Sequence, residues 1–105
     1  MKIYILRKSL SDIKTPIKRS EYDTCSLTTR EFISEMVERN YNTRPIEDNL
    51  EDCIQVALDD FTDGCFYIVN ATQNIKYIAL DEKLNLSNGD EIMLVKLKYV
   101  RGFIW

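Results

Sequence analysis

The sequence predicts a single α+β domain, and three observations predict it. Strand-type segments stand near both ends, "KIYIL" at 2–6 and "EIMLVKLKYV" at 91–100, while two stretches between them, 28–41 and 49–63, change to helical spacing. A tight-turn signal at Asn88-Gly89 delivers the chain into the last strand. At 105 residues the chain has the size of one domain, and a domain this small buries roughly 60–70% of its unfolded surface. Its composition, 45% hydrophobic and 30% charged, is that of a folded chain rather than a disordered one.

The elements follow in order. Residues 2–6 are short, branched, aromatic and apolar on both faces, which is the pattern of a strand covered on both sides. "RKSLSDIKTPIKRSEYD" is polar with scattered apolar residues, and Pro16 cannot donate a ladder hydrogen bond, so a returning edge strand is expected over the 14–21 segment. Thr28 followed by Glu31 has the spacing of a capping box, in which the hydroxyl and the carboxylate satisfy amides at the helix start. Phe32, Ile33, Met36, Val37 and Tyr41 then form one apolar face, opposite Arg30, Glu31, Glu35 and Glu38. Pro45 breaks that period. In "NLEDCIQVALDDFTDG" Asn49 is the expected cap, Glu51 and Asp52 suit the positive helix end, Leu50, Ile54, Ala57, Leu58 and Phe61 form the stripe, and Gly64 is the stop. Strands are expected at "CFYIV" (65–69), "IKYIAL" (75–80) and 91–100, the last with Met93, Val95, Leu97 and Tyr99 on one face.

The run "L-x-L-x-x-G-D-x-I-x-L-V" at 84–95, taken with the opening M-K-I-Y-I-L hairpin and a crossing helix, resembles the ubiquitin-like β-grasp family, which includes ubiquitin and the small sulfur-carrier proteins. The resemblance implies a mixed sheet with parallel first and last strands at its centre and a main helix, 28–41, across one face. Ile3 to Leu6 and Ile92 to Val95 have the two-sided apolar character that such central strands need. The helix at 49–63 is additional to the family's pattern.

Charge and residue type narrow the chemistry. Residues 1–20 hold six Lys or Arg against one Asp, residues 21–63 hold three against twelve acids, and residues 64–105 hold five against four. That acidic middle argues against nucleic-acid binding by phosphate neutralisation. The chain has no histidine, which removes imidazole bases, Ser-His and Cys-His pairs and histidine metal sites. Cys25, Cys53 and Cys65 match neither CxxC nor a zinc-ligand pair, so neither a disulfide framework nor a metal is expected, and all three are read as structural. "DDFTDG" at 59–64 has Asp59, Asp63 and Gly64 at calcium-loop offsets, but Phe61 fills a ligand position and Asn70 stands where a bidentate glutamate belongs. A charged helix end is the expected reading. Glycines 64, 89 and 102 stand apart, so no phosphate loop exists. No enzyme and no cofactor are expected. Lys2 is followed by four consecutive apolar residues, too few for a signal-peptide core, and no run approaches the ~20 of a membrane span. A cytoplasmic protein, without membrane partners, is expected.

The tail is the remaining candidate. "LVKLKYVRGFIW" resembles the tail of ubiquitin and the sulfur carriers up to Arg101-Gly102. In that family an exposed terminal glycine pair is adenylated at its carboxylate and joined to sulfur or to a lysine amine. Here the glycine is single and Phe103, Ile104 and Trp105 follow it. A covalent modifier or sulfur carrier would therefore need cleavage after Gly102. The expected function is instead noncovalent docking on a protein partner, with Arg101, Gly102, Phe103, Ile104 and Trp105 as contact residues. Packing of 103–105 on the chain's own domain is the competing use of the same side chains, since burial of each contributes roughly 1.5–3 kcal/mol. Pro16 and nearby lysines oppose edge-to-edge pairing, so a monomer or weak dimer is expected.

Overall fold

A computed structural model describes residues 1–9, 18–43, 48–101 and 104–105. They form β1 (Lys2–Ser9), β2 (Lys18–Asp23), α1 (Thr29–Asn42), α2 (Leu50–Thr62), β3 (Phe66–Asn70), β4 (Ile75–Tyr77) and β5 (Glu91–Lys96). The sheet order is β2-β1-β5-β3-β4. β5 enters between the two hairpins, parallel to β1 with Ile5 opposite Ile92, and antiparallel to β3 with Ile68 opposite Leu94. The protein is thus α+β, with two helices and a five-stranded mixed sheet whose first and last strands are parallel neighbours. Pro16, Pro45, Gly102 and Phe103 lie outside the described residues.

Strand alternation separates the two sheet faces. Ile3, Ile5, Phe66, Ile68, Ile92 and Leu94 point to the helices, where they meet Phe32, Ile33, Met36 and Val37 of α1 and Cys53, Ala57, Leu58 and Phe61 of α2 in one buried cluster. Tyr4, Leu6, Tyr67, Val69, Met93 and Val95 take the opposite face. Val95 is 2% exposed although it lies outside the helix-side cluster, so the central strands are apolar on both faces. Cations cover part of that second face: the Arg19 guanidinium sits 3.8 Å from the centre of the Tyr4 ring and the Lys76 ammonium 4.6 Å from that of Tyr67.

Local signals set the element ends. Thr28 Oγ1 accepts the Glu31 amide at 3.3 Å, and Glu31 Oε2 accepts that of Leu27 at 3.1 Å. Asn49 Oδ1 accepts the Glu51 amide at 2.7 Å. α2 closes with Cys65 N–H on Asp60 O and Gly64 N–H on Phe61 O, a pairing that requires Gly64 at φ +76°. Gly89, at φ +89°, donates to Lys2 O while Asn88 Oδ1 accepts from Lys2 N, which fastens the last turn to the first strand.

The main boundary changes are in four strands: the returning edge strand expected over 14–21 is Lys18–Asp23, residues 14–17 lying outside the described residues. β1 extends to Ser9 instead of stopping at Leu6, because its pairing with β5 continues to Ser9 opposite Lys96. β4 ends at Tyr77: the Ile78 and Ala79 amides donate to Glu82 Oε1 instead of to β3. β5 ends at Lys96 rather than at residue 100, since both neighbouring ladders run out there, at Ser9 and at Phe66. The face expected to continue through Leu97 and Tyr99 therefore breaks, and those side chains are 44% and 83% exposed. No helix of the described residues is long and apolar enough to cross a membrane.

Candidate functional site

The end of β5 releases the chain beside the last turn of α2, and the candidate site is built there. The amides of Leu97 and Lys98 both donate to Cys65 O, at 2.8 and 3.0 Å, which ends the ladder and turns the backbone across α2. It next meets Asp60. Asp60 has 0% side-chain exposure, and its carboxylate accepts from Arg101 twice, from the backbone N–H at 2.8 Å and from Nε at 3.3 Å. Arg101 itself is 57% exposed, so its guanidinium lies over the carboxylate from the solvent side.

Beyond Arg101, Ile104 is fully buried in the main cluster and its carbonyl oxygen accepts from Arg7 Nε at 3.2 Å. Trp105 is half-buried. Its indole stands edge-on to Phe66, ring centres 5.7 Å apart at 71°, and Phe66 in turn tilts against Phe61 at 5.6 Å. The Lys96 ammonium lies 5.6 Å from the centre of the indole. Thus Arg101 and Ile104 are held by α2 and β1, Trp105 rests on β3, and Gly102 and Phe103 are outside the described residues.

Leu97 stands between two grooves next to this tail. One, of about 250 Å³, has the buried Phe61, Phe66 and Tyr77 at its base and Tyr67, Lys76 and Ile78 at its rim. The other, of about 290 Å³, is lined by Ser9, Lys96, Lys98 and Tyr99 as well as Leu97. Ile78 is 75% exposed. Ile78, Leu97 and Tyr99 account for three of the five large hydrophobic side chains exposed among the described residues, the others being Met1 and Leu27, so exposed apolar surface is concentrated at these grooves.

The remaining chemical candidates disperse. In "DDFTDG", the Asp59 carboxylate accepts from Gln55 and that of Asp60 from Arg101, while Asp63 caps α2 through its backbone N–H, so the three acids are used separately. Among the described residues no group of three His, Cys, Asp or Glu is placed to hold a metal ion. Cys25 is exposed, Cys53 buried and Cys65 half-buried, all as free thiols. Burial, with help from Asp48 and Asp52, pushes the Cys53 thiol up and away from the reactive thiolate.

A second buried carboxylate lies at the other end of the sheet. Asp90 Oδ2 accepts from Asn70 Nδ2 at 2.9 Å, Gln73 Nε2 at 2.7 Å and the Ser87 amide at 2.8 Å. Burial alone would raise its pKa, but these hydrogen bonds outweigh burial and hold the carboxyl below its ordinary range. Tyr77 extends the cluster by donating to Leu84 O at 2.6 Å, and burial raises its phenol. All of these groups are used in tying the 84–90 segment to β3 and β4.

Sequence reasoning named Arg101 but missed its partner. A signal existed: Asp60 falls three residues after Ala57 and seven after Cys53, on the stripe that α2 buries, and a carboxylate there requires a compensating donor. Neither a family model, nor a curated protein, nor a solved structure matches the chain.

Proposed function

We propose that the chain is a ubiquitin-like β-grasp domain that works as a noncovalent protein-docking module. The fold part of this reading is supported by the parallel central β1 and β5, by α1 against one face, and by the Asn88-Gly89-Asp90 turn that feeds β5. α2 is an addition that enlarges the core and supplies the tail's anchor. The functional part rests on one observation, the gathering of exposed Ile78, Leu97 and Tyr99 around two grooves beside the tail.

Docking at this surface removes water from those side chains, and the half-buried Trp105 adds an aromatic wall behind the grooves through Phe66 and Lys96. The tail's contacts also bear on the covalent alternative. Arg101 on Asp60 and Ile104 on Arg7 lie on either side of Gly102, and a modifier activated at Gly102 would lose the second of them on cleavage.

A photoreactive residue placed at position 97, with a control at the exposed Glu38 of α1, tests the reading in the native cell. A discrete protein adduct from position 97 but not from 38 is the expected result, together with an unmodified intact mass for the N-terminally tagged protein from unirradiated cells under denaturing conditions. Absence of an adduct at 97, a mass ending at Gly102, or a mass shifted by a joined protein or sulfur would overturn it.

A further inference from the structure

We infer that the occupant of the two grooves beside Leu97 is an acidic protein segment carrying a large apolar side chain. This rests on the docking reading above and specifies its partner. Lys76 lines one groove, Lys96 and Lys98 line the other, and among the described residues no carboxylate lines either. None of the three lysines pairs with a carboxylate among the described residues; Lys76 and Lys96 lie instead over the rings of Tyr67 and Trp105. The surface thus presents three cations around an exposed apolar ridge, on a chain whose residues 21–63 carry twelve acids against three bases.

That contrast selects the partner's charge. A basic segment is drawn towards the acidic helices, whereas an acidic one is repelled there and attracted only where the lysines lie, over a distance of roughly 8–10 Å at ordinary salt. Size selects the anchor. Each groove, at about 250 and 290 Å³, is at the small end of the ~300–1,000 Å³ typical of small-molecule pockets and suits one inserted side chain of a polypeptide. A second copy of this chain is a poorer occupant, because its carboxylates concentrate on α1 and α2, whose apolar stripes are already buried in the core. Beside the helix acids it exposes one large apolar side chain, Leu27 at the start of α1, and the sedimentation arm of the test decides that case.

The test is selection from a random linear-peptide display library on the full chain, in parallel with a Leu97→Asp/Lys76→Glu/Lys98→Glu variant. All three replaced side chains are exposed, and far-UV circular dichroism and Tm establish that the variant folds. The inference predicts enriched peptides that combine Asp or Glu with a Leu, Ile, Met, Phe or Trp, recovery from the variant lower by about tenfold or more, and affinity that falls as salt is raised. Enrichment of basic or uncharged peptides, or equal recovery on the variant, overturns it. So does a concentration-dependent dimer, seen by sedimentation, that the variant abolishes, since a second copy is then the occupant. No enrichment on either protein also overturns it; the docking reading then stands if position 97 still cross-links to a protein and falls if it does not.

Discussion

Two buried aspartates divide the molecule, and the comparison between them separates what holds the fold from what holds the site. Asp90 is served by three uncharged donors, Asn70, Gln73 and the Ser87 amide, drawn from the start and end of the segment that links β3 to β5. Asp60 takes both its Arg101 bonds from a residue 41 positions away, and its cation is open to solvent. The first carboxylate closes a knot within the sheet. The second fastens a strap that runs from the end of β5 past α2 and ends with Ile104 in the core. Loss of the first carboxylate takes an acceptor from three donors at once, whereas the Arg101 guanidinium over the second can turn to water.

The difference orders the expected effects. Asp90→Ala takes an acceptor from the Ser87 N–H and from the Asn70 and Gln73 amides, which keep the Tyr77 hydroxyl and Asn85 O, and the expected loss is about 3 kcal/mol, seen as a lower urea midpoint. Asp60→Ala releases Arg101, whose guanidinium solvent reaches; after discounting for the exposure of Arg101 the expected loss is about 1–2 kcal/mol. A fall as large as that of Asp90→Ala would erase the distinction.

Acid sharpens the contrast. The folded pKa of Asp90 is depressed, so its contribution is present in full above the unfolded value of about 3.9 and disappears as pH falls through the lower folded value. Thermal unfolding of the wild type should steepen in its pH dependence below about pH 4, and Asp90→Asn should flatten that part of the curve. A variant curve parallel to the wild type would show that the carboxylate carries no such linkage. The smallest effect belongs to the ridge: Leu97→Asp should change stability by less than about 0.5 kcal/mol, because Leu97 is outside the main cluster. A larger loss would mark it as a packing residue rather than a docking one.

The parts of this fold that were legible in sequence are those fixed by near neighbours. The caps at Thr28 and Asn49, the stop at Gly64 and the turn at Asn88-Gly89 each depend on contacts within a few residues, or on a backbone conformation that glycine adopts without strain. Parallel pairing of the first and last strands was an expectation of the β-grasp resemblance, and their two-sided apolar character suited the central positions it implied. Strand ends did not follow, because Lys96 is the last residue of β5 only by virtue of where Ser9 and Phe66 stand in other strands. The site was hidden for the same reason. Leu97 and Tyr99 continue an apolar alternation in sequence, and only the ladders' end turns them outward. Arg101 was named as a contact, while Asp60 looked like one more charge at a helix terminus until the tail was laid beside it. Glu35, assigned to a polar helix face, likewise accepts from Thr24, Ser26 and Arg39, joining α1 to the end of β2.

The most direct test of this division follows Trp105, the only tryptophan, in Asp60→Ala during thermal unfolding, with far-UV circular dichroism recorded alongside. Red-shifted indole emission at temperatures where the dichroism is still native, with the two signals changing together in Asp90→Ala, is the predicted result and shows a strap separable from its core. Native emission in Asp60→Ala up to the main transition, or simultaneous loss of both signals in that variant, would contradict the account and make the tail part of the fold's single cooperative unit.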